Sequence, residues 1–470
     1  MVEEGERIHV IGAAGSGAAG AALLLHHAGA IVDGCDVDVP SPYTPALEAA
    51  GIACAVGHDP AHLEGVTRVA ISPALRAVPN HPELAAAGQR GIPVVTWQAL
   101  VGELQLAPGR IGLGVTGTHG KTTTTALLGH LLIAAGLDPT VEVGAHIAAW
   151  GASVRMGGGA PFVVEADEFG DNFLNFHPAG AIVTNVEMDH PDFFADAEAV
   201  LRSFERFVRG MGSHPALNGR RLVIAAGDPG ADELVRRLTG WDGRIIRYGT
   251  GGDIEAIDVV ATSDGTSFTL FDLRFRMTLA GDHNVLNATG ALVMARALGA
   301  DLDALADGLE TFAGAGRRME LIADTATVTI FDDYGHHPTE VRAALAAARQ
   351  RVGADRRLWA VFEPHMYSRT ALLMDDFAMA FTAANEVVIA DIFASRDTPD
   401  AMRSTSAEAL ADAIERTSAV PAIATGDVDA TTTYVADHVG TGDAVLVMGA
   451  GKSYRIARGL ADRLGQREGP

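Results

Sequence analysis

A chain of 470 residues with a formal charge of −24 is too long for one comfortable core and too acidic to seek nucleic acid or an anionic membrane. Its 48% hydrophobic content supplies several cores without disulfides or a structural metal, and Cys35 and Cys54, the only cysteines, fit a reducing cytoplasm. No apolar run approaches the length of a membrane span, and the acidic N-terminus enters a strand almost at once, unlike a secretory signal.

The first hundred residues alternate strand-like and helix-like runs. RIHVIG and AIVDGCD read as strands around a helix over 16–28, and RVAISP and IPVVT follow as further strands. That alternation predicts right-handed βαβ units on a parallel sheet. Between the first strand and helix, GAAGSGAAG supplies Gly12, Gly15, Gly17 and Gly20, where backbone N–H groups suit a phosphate at a helix N-terminus. Asp36 closes the second strand, where a carboxylate can take a ribose hydroxyl. The same residues also suit an ordinary tight turn, so this loop alone decides nothing.

LQLAPGR, over 104–110, breaks the pattern and marks a first boundary. The strand IGLGVTG then leads into THGKTTTTALLGHLLIAAG. A Walker A loop needs glycine, four residues, then Gly-Lys-Ser/Thr, and Val115 stands where the first glycine belongs. The strand–loop–helix setting still suits β- and γ-phosphates, held by loop N–H groups and the helix dipole. Lys121 adds a point charge and the Thr122 hydroxyl can reach Mg²⁺. Lysine occurs only at Lys121 and Lys452, so one of the two lies where a phosphate would want it. Lys452 belongs to LVMGAGKS, a similar sequence that reads as a tight turn in the last βα unit.

Two strands of the middle third end in polar groups. FVVEADEFGDNF carries Glu165, Asp167 and Glu168, and AIVTNVEMDH carries Asn185, Glu187, Asp189 and His190. Ligands gather beyond the carboxyl ends of such strands. Glu165, the first polar residue after FVV, reads as a Mg²⁺ ligand completing a site begun by Thr122, whereas Asp167 and Glu168 read as solvated strand ends. GDHNVLNATGALVMARALG reads as a capped amphipathic helix. After GAGRRMELI the alternation restarts, placing a second boundary near Gly316. The last unit has strands at VTIFDDY, LWAVFEP, EVVIADI and AVLVMGA, whose ends carry Asp333, Tyr334, His336, His337, His365 and Arg369. A transition metal among these histidines lacks a tetrahedral spacing signature.

In order along nearly the whole chain, IHVIGAAGSGAAG, ISPALRAVPNHPEL, GTHGKTTTT, EADE, TNVEMDH, DHNVLN, GAGRRME, DDYGHHPTEV and PHMYSRT resemble the motifs of the Mur ligases. GTHGKTTT and DDYGHHPTE resemble the alanine-adding branch most closely. That family's loop is Thr-Gly-Thr-x-Gly-Lys-Ser/Thr, which accounts for Val115. The resemblance implies an α/β fold of three domains. These are a Rossmann-like UDP-sugar-binding domain over 1–107, a central P-loop ATPase α/β domain over 108–315, and a C-terminal Rossmann-like domain over 316–470 that closes on ATP and the amino acid.

It also implies a reaction, in peptidoglycan precursor synthesis. ATP phosphorylates the lactyl carboxylate of UDP-N-acetylmuramate, the amine of L-alanine attacks the acyl phosphate, and phosphate leaves; both steps depend on charge neutralisation and positioning. By family pattern, ATP meets Gly117, Thr118, His119, Gly120, Lys121, Thr122, Thr123, Asn284, Asn287, Arg318 and Asp333. Thr122, Glu165 and His190 would hold two Mg²⁺ ions, and Lys121, Glu165, His190, His283 and Arg318 would serve catalysis. Gly12, Gly15, Ser16, Gly17, Asp36, Ser72 and Pro73 would receive the UDP-sugar, and Tyr334, His336, His365 and Arg369 the amino acid. The implied partners are these small molecules alone, bound by a monomer or homodimer.

Three departures stand out. Some relatives place a carbamylated lysine beside the second Mg²⁺, which is impossible without a lysine between Lys121 and Lys452. Ala14 replaces a usual glycine of the first loop. Met366 stands where the alanine-adding branch reads arginine, a loss worth roughly 1.5–3 kcal/mol of pairing with the acceptor carboxylate unless Arg369 compensates. Other readings are a recycling ligase that adds a tripeptide, a ligase for another amino acid or for an acid outside peptidoglycan, a nicotinamide-dependent oxidoreductase, and a P-loop switch. The oxidoreductase reading leaves Lys121, Glu165 and His190 unexplained, and the switch leaves the C-terminal cluster idle.

Overall fold

The computed structural model describes residues 1–465 other than 38, 74, 76, 77, 79 and 326. Four positions of ISPALRAVPNHPEL and the last five residues of the third unit therefore lie outside the described residues.

Short apolar runs that alternate with helices build the N-terminal sheet. It comprises β1 (Arg7–Ile11), β2 (Ile31–Asp36), β3 (Cys54–Val56), β4 (Arg68–Ile71) and β5 (Val94–Thr96), all parallel, in the order β3-β2-β1-β4-β5. The chain reverses direction across the sheet between β1 and β4, where a ligand crevice opens in such folds. Gly12, with φ +84°, and Ser72 meet at that point. Gly17 serves packing, because a Cβ there would lie 2.4 Å from the Trp97 ring.

The central sheet holds β6 (Ile111–Thr116), β7 (Thr140–Ile147), β8 (Ala152–Arg155), β9 (Pro161–Glu165), β10 (Gly180–Val183), β11 (Arg221–Ala225) and β12 (Arg244–Tyr248). Their order is β12-β11-β10-β6-β9-β7-β8, with only β8 antiparallel to its neighbour. An antiparallel meander of β13 (Ile257–Thr262), β14 (Gly265–Leu270) and β15 (Leu273–Met277) adjoins it. The helices Lys121–Ala134 and Asp282–Ala297 share one core with this sheet and meander. The second is neither side-chain-capped nor amphipathic, contrary to expectation. Eleven of its sixteen residues are buried and its cap is Gly281, because sheet, meander and neighbouring helix cover it on several sides.

The C-terminal sheet runs β16-β17-β21-β18-β19-β20, from β16 (Glu320–Asp324), β17 (Val328–Asp333), β18 (Leu358–Phe362), β19 (Glu386–Ala390), β20 (Ala422–Gly426) and β21 (Asp443–Met448). Only the edge strand β16 is antiparallel. The four expected strands are β17, β18, β19 and β21. Separate apolar clusters fill its two faces. Among the described residues, no helix is long and apolar enough to cross a membrane.

Candidate active site

Strand β6 ends in a loop whose backbone requires its glycines. Gly117 has φ +137°, and a Cβ there would lie 2.0 Å from Thr184 Oγ1; at Gly120, φ +80°, it would lie 2.6 Å from Asn287 Oδ1. Asn185 Oδ1 accepts from the His119 N–H at 2.7 Å, tying the loop to the end of β10. Lys121 Nζ donates to the Gly117 and Thr118 carbonyls at 2.8 and 3.2 Å, and to Glu168 Oε2 at 2.8 Å. Burial opposes the lysine charge, but Glu168, Asp167 and Glu165 outweigh it and raise its pKa. The expectation that Glu168 is a solvated strand end is therefore wrong: its side chain is 2% exposed and paired with Lys121. The turn Phe169–Asn175, with Gly170 and Asp171 in left-handed backbone, folds over it. Asp167, by contrast, is 44% exposed and lies 3.6 Å from Lys121.

Two donor sets flank the lysine. Thr122 Oγ1 donates to Glu165 Oε1 at 2.8 Å, while Glu165 Oε2 accepts from Gly144 N–H at 2.7 Å. On the other side, Asp167, Glu168 and His190 bring ligand atoms within 4.8 Å of one another. Glu168 Oε1 and His190 Nδ1 are buried without a partner. Burial lowers the His190 pKa, so its imidazole is neutral and able to ligate. These oxygen-rich sets, with orphaned donor atoms, fit hard divalent cations.

A pocket between the loop, the helix Asp282–Ala297 and the C-terminal unit gathers the residues expected at ATP: His119, Gly120, Thr123, Asn284, Asn287, Arg318 and Asp333, with His283 beside them. Arg318 Nη2 donates to Thr122 Oγ1 at 3.2 Å across the two units. His119 sits between Glu187 at 3.5 Å and Glu340 at 3.3 Å. Burial would lower its pKa, but the two carboxylates raise it to about 10. Burial instead lowers His283 to about 4.

The residues expected at the amino acid also converge. The Tyr334 ring lies 5.0 Å from both the Arg317 and Arg318 guanidinium carbons, His336 lies 5.7 Å from His365, and Arg369 Nη1 donates to His365 Nδ1 at 3.1 Å. Burial pushes His336 down to about 4 and His365 to about 2, so both rings are neutral. Arg369 is 1% exposed and donates through Nε and Nη2 to Asp189 at 3.0 and 2.9 Å. Already neutralised, it is a poor substitute for the arginine absent at 366. Met366 has left-handed backbone, φ +72°, and its sulfur lies 3.8 Å from Arg396 Nη2. Arg396 stacks over Phe169 at 4.4 Å and pairs with Asp192 at 3.0 Å, yet keeps 36% of its side chain exposed.

At the N-terminal crevice, Gly15 starts the helix Ser16–His27, and Pro73 follows Ser72 at the end of β4. Asp36 accepts from Ala14 N–H at 3.0 Å and Val37 N–H at 2.7 Å, bracing the glycine loop. Tyr43 lies near enough to Tyr334, Arg317 and Glu165 to feel their charges, although burial does most to raise its phenol pKa. The three units thus face one another around Thr122 and Glu165.

Known sequences agree with this arrangement. A signature described as Mur ligase family, catalytic domain matches residues 7–107; the Mur ligase middle domain matches 115–295; and the Mur ligase, glutamate ligase domain matches 317–451. The chain belongs to the Mur ligase family. It is 39% identical to the UDP-N-acetylmuramate–L-alanine ligase of Mycolicibacterium vanbaalenii, over 96% of this chain and 95% of that one. It is 38% identical to the ligase of the same name in Mycolicibacterium smegmatis, over 95% and 92%. The fold matches the UDP-N-acetylmuramate-alanine ligase of Thermotoga maritima with a TM-score of 0.82 at 24% identity, covering 98% and 100% of the two chains. It also matches a murein peptide ligase from Psychrobacter arcticus with a TM-score of 0.71 at 26% identity, over 98% and 99%. This Mur ligase is an ATP-dependent ligase of three α/β domains.

Sequence reasoning missed Glu168, Asp189, Glu340 and Arg396 in this Mur ligase. Asp189 and Glu168 were visible as strand-end carboxylates, but nothing local marks their burial. Arg396 carries no motif at all, and only the folded chain brings it beside Met366.

Proposed function

We propose that this Mur ligase joins L-alanine to the lactyl carboxylate of UDP-N-acetylmuramate through an acyl phosphate, in the cytoplasm, for peptidoglycan precursor synthesis. The observation that carries this reading is the placement of Lys121 and Thr122 between two carboxylate sets, opposite an arginine- and histidine-lined acceptor end. In this reading the sugar belongs to residues 1–107, the nucleotide to 108–315 and the acceptor to 316–470.

In this reading, Lys121 leaves Glu168 for the γ-phosphate, and Arg318 moves from the Thr122 hydroxyl to the nucleotide. The loop N–H groups and the helix dipole neutralise phosphoryl charge without reorganisation. Thr122 with Glu165, and His190 with Glu168, would hold two Mg²⁺ ions, which supply charge neutralisation between the carboxylate and the phosphoryl group. Neutral His336 and His365 bound the acceptor end without adding charge. Arg396, exposed beside Met366, takes the amino-acid carboxylate, and Asp189 fixes Arg369 as a buried wall. Gly12, Ser72 and the braced loop at Asp36 receive the UDP-sugar.

Phosphate release from ATP tests the proposal, with UDP-N-acetylmuramate and, in turn, L-alanine, glycine, L-serine or a tripeptide. Turnover is expected with L-alanine above the other acceptors. Preference for the tripeptide would move the protein to the recycling reaction, and turnover without the UDP-sugar would remove the ligase reading.

A further inference from the structure

On one face of the N-terminal sheet, beneath the glycine loop that Cys35 and Asp36 brace, four side chains from four separate elements aim at one point. His9 comes from β1, Cys35 from β2, His62 from the short helix Pro60–Leu63, and Glu83 from the first turn of the helix Pro82–Arg90. Cys35 and Glu83 are fully buried, His9 is 1% exposed and His62 25%. Cys35 Sγ lies 3.3 Å from His9 Nε2 and 3.2 Å from Glu83 Oε2; His9 Nε2 lies 3.4 Å from Glu83 Oε1, and His62 Nδ1 lies 2.7 Å from the same oxygen.

A tetrahedral ion with bonds of 2.0–2.3 Å separates its ligand atoms by roughly 3.3–3.6 Å. Three of these four distances are within a few tenths of an ångström of that spacing, and the His62–Glu83 contact must open by roughly half an ångström. We propose that His9, Cys35, His62 and Glu83 form a structural site for a divalent transition metal, zinc in preference to others. One thiolate, one carboxylate and two neutral imidazoles balance the charge of such an ion, and the mixed sulfur–nitrogen set selects against Mg²⁺.

Two independent features support a built site. Asp33 Oδ1 lies 2.5 Å from His9 Nδ1, so the carboxylate fixes the tautomer that turns the Nε2 lone pair towards Cys35; carboxylate–histidine–metal centres use the same arrangement. The second is His81, 5% exposed with neither ring nitrogen partnered. It packs 4.3 Å from the His58 ring, whose Nδ1 lies 3.2 Å from both Cys35 Sγ and Glu83 Oε2. A hydrogen-bonded network alone leaves that imidazole unexplained, whereas an ion on Glu83 lets His58 and His81 serve as adjacent or exchanging ligands. The face also lacks apolar mass. Its core is the small cluster of Ile11, Leu63, Val66, Val69, Ile71 and neighbouring alanines around Cys35, so a metal would staple strands to helix where packing is thin.

Binding replaces the Cys35 thiol proton and the Nε2 proton that Asp33 and Glu83 favour on His9, and releases both to solvent. The full chain, stripped with chelator and titrated with Co²⁺ in the absence of nucleotide, is expected to take up one ion per chain in this site. It should show a thiolate-to-cobalt charge-transfer band and the strong visible absorption of a four-coordinate ion, both bleached by Zn²⁺. No cysteine lies near the ATP site, so the band reports the N-terminal unit, and Cys35→Ser separates this cluster from Cys54. Cys35→Ser should abolish it; Asp33→Asn, at a half-exposed position, should retain it while weakening Zn²⁺ binding roughly 10- to 100-fold. His62→Ala, at the rim, should weaken binding without unfolding the domain. Absence of the band, or a band that survives Cys35→Ser through Cys54, would overturn the proposal.

Discussion

Residues 117–122 and 449–453 both follow a buried strand, both join glycine and lysine to a hydroxyl residue, and both open a helix. At the C-terminal turn the helix N-terminus is already filled. Ser453 N–H donates to Glu363 Oε2 at 2.8 Å, a Cβ on Gly451 would lie 2.6 Å from that carboxylate, and Lys452 is exposed. At residues 117–122 the charges are inverted: the lysine side chain is 12% exposed and carboxylates surround it from outside the loop. One turn carries its anion within the fold, and the other carries a cation whose partner can be exchanged. The motif specifies backbone shape, and side chains from distant segments decide whether that shape is a ligand site.

The largest test of this contrast replaces each lysine. Lys121→Ala should lower kcat by roughly 10²–10³ or more, the loss typical of a stabiliser of developing charge, while UDP-sugar binding survives. Lys452→Ala should leave turnover unchanged; equal losses would erase the distinction. At the acceptor end, Arg396→Ala should raise the KM for L-alanine roughly 10- to 100-fold, corresponding to about 1.5–3 kcal/mol for a charged hydrogen bond. Met366→Arg in that background should recover part of the loss, and an unchanged KM in Arg396→Ala would return the role to Arg369. Glu363→Ala should cost about 1–3 kcal/mol in denaturant unfolding by stripping a buried N–H of its acceptor, and added sulfate should restore part of it if the turn is a latent anion site.

The remaining test is a pH dependence. The His119 pKa is raised from 6.5 to about 10, so the stability it adds is complete below pH 6.5 and disappears as pH rises towards 10. Thermal unfolding should show this decline, and His119→Asn should flatten it.

How much was legible in advance follows the same division. Lys121, Thr122 and Glu165 were readable because loop and strand end are contiguous in sequence. The three-domain α/β fold was readable from strand–helix alternation and motif order. The helix Asp282–Ala297 was misjudged because apolar residues sit on all its faces, and only the assembled core shows why. The pair of Asp189 with Arg369 spans 180 residues, and that of Arg396 with Asp192 spans 204, so no local pattern encodes either. The sequence likewise gave no reason to bring His9, Cys35, His62 and Glu83 together, since these positions share no short-range spacing.

The Lys121–Glu168 pair has a thermodynamic corollary. With the nucleotide absent, Glu168 stands in for phosphate on Lys121, and one of its oxygens lies 3.9 Å from His190 Nε2. In the proposed reaction, phosphate takes the lysine and leaves the buried carboxylate, whose pKa burial already raises, beside that imidazole, where it needs either a proton or a cation. In that reading nucleotide raises the affinity for a divalent cation at Glu168 and His190, and cation raises the affinity for nucleotide by the same factor. On that proposal a single ion pair is enough to make the two ligands cooperative.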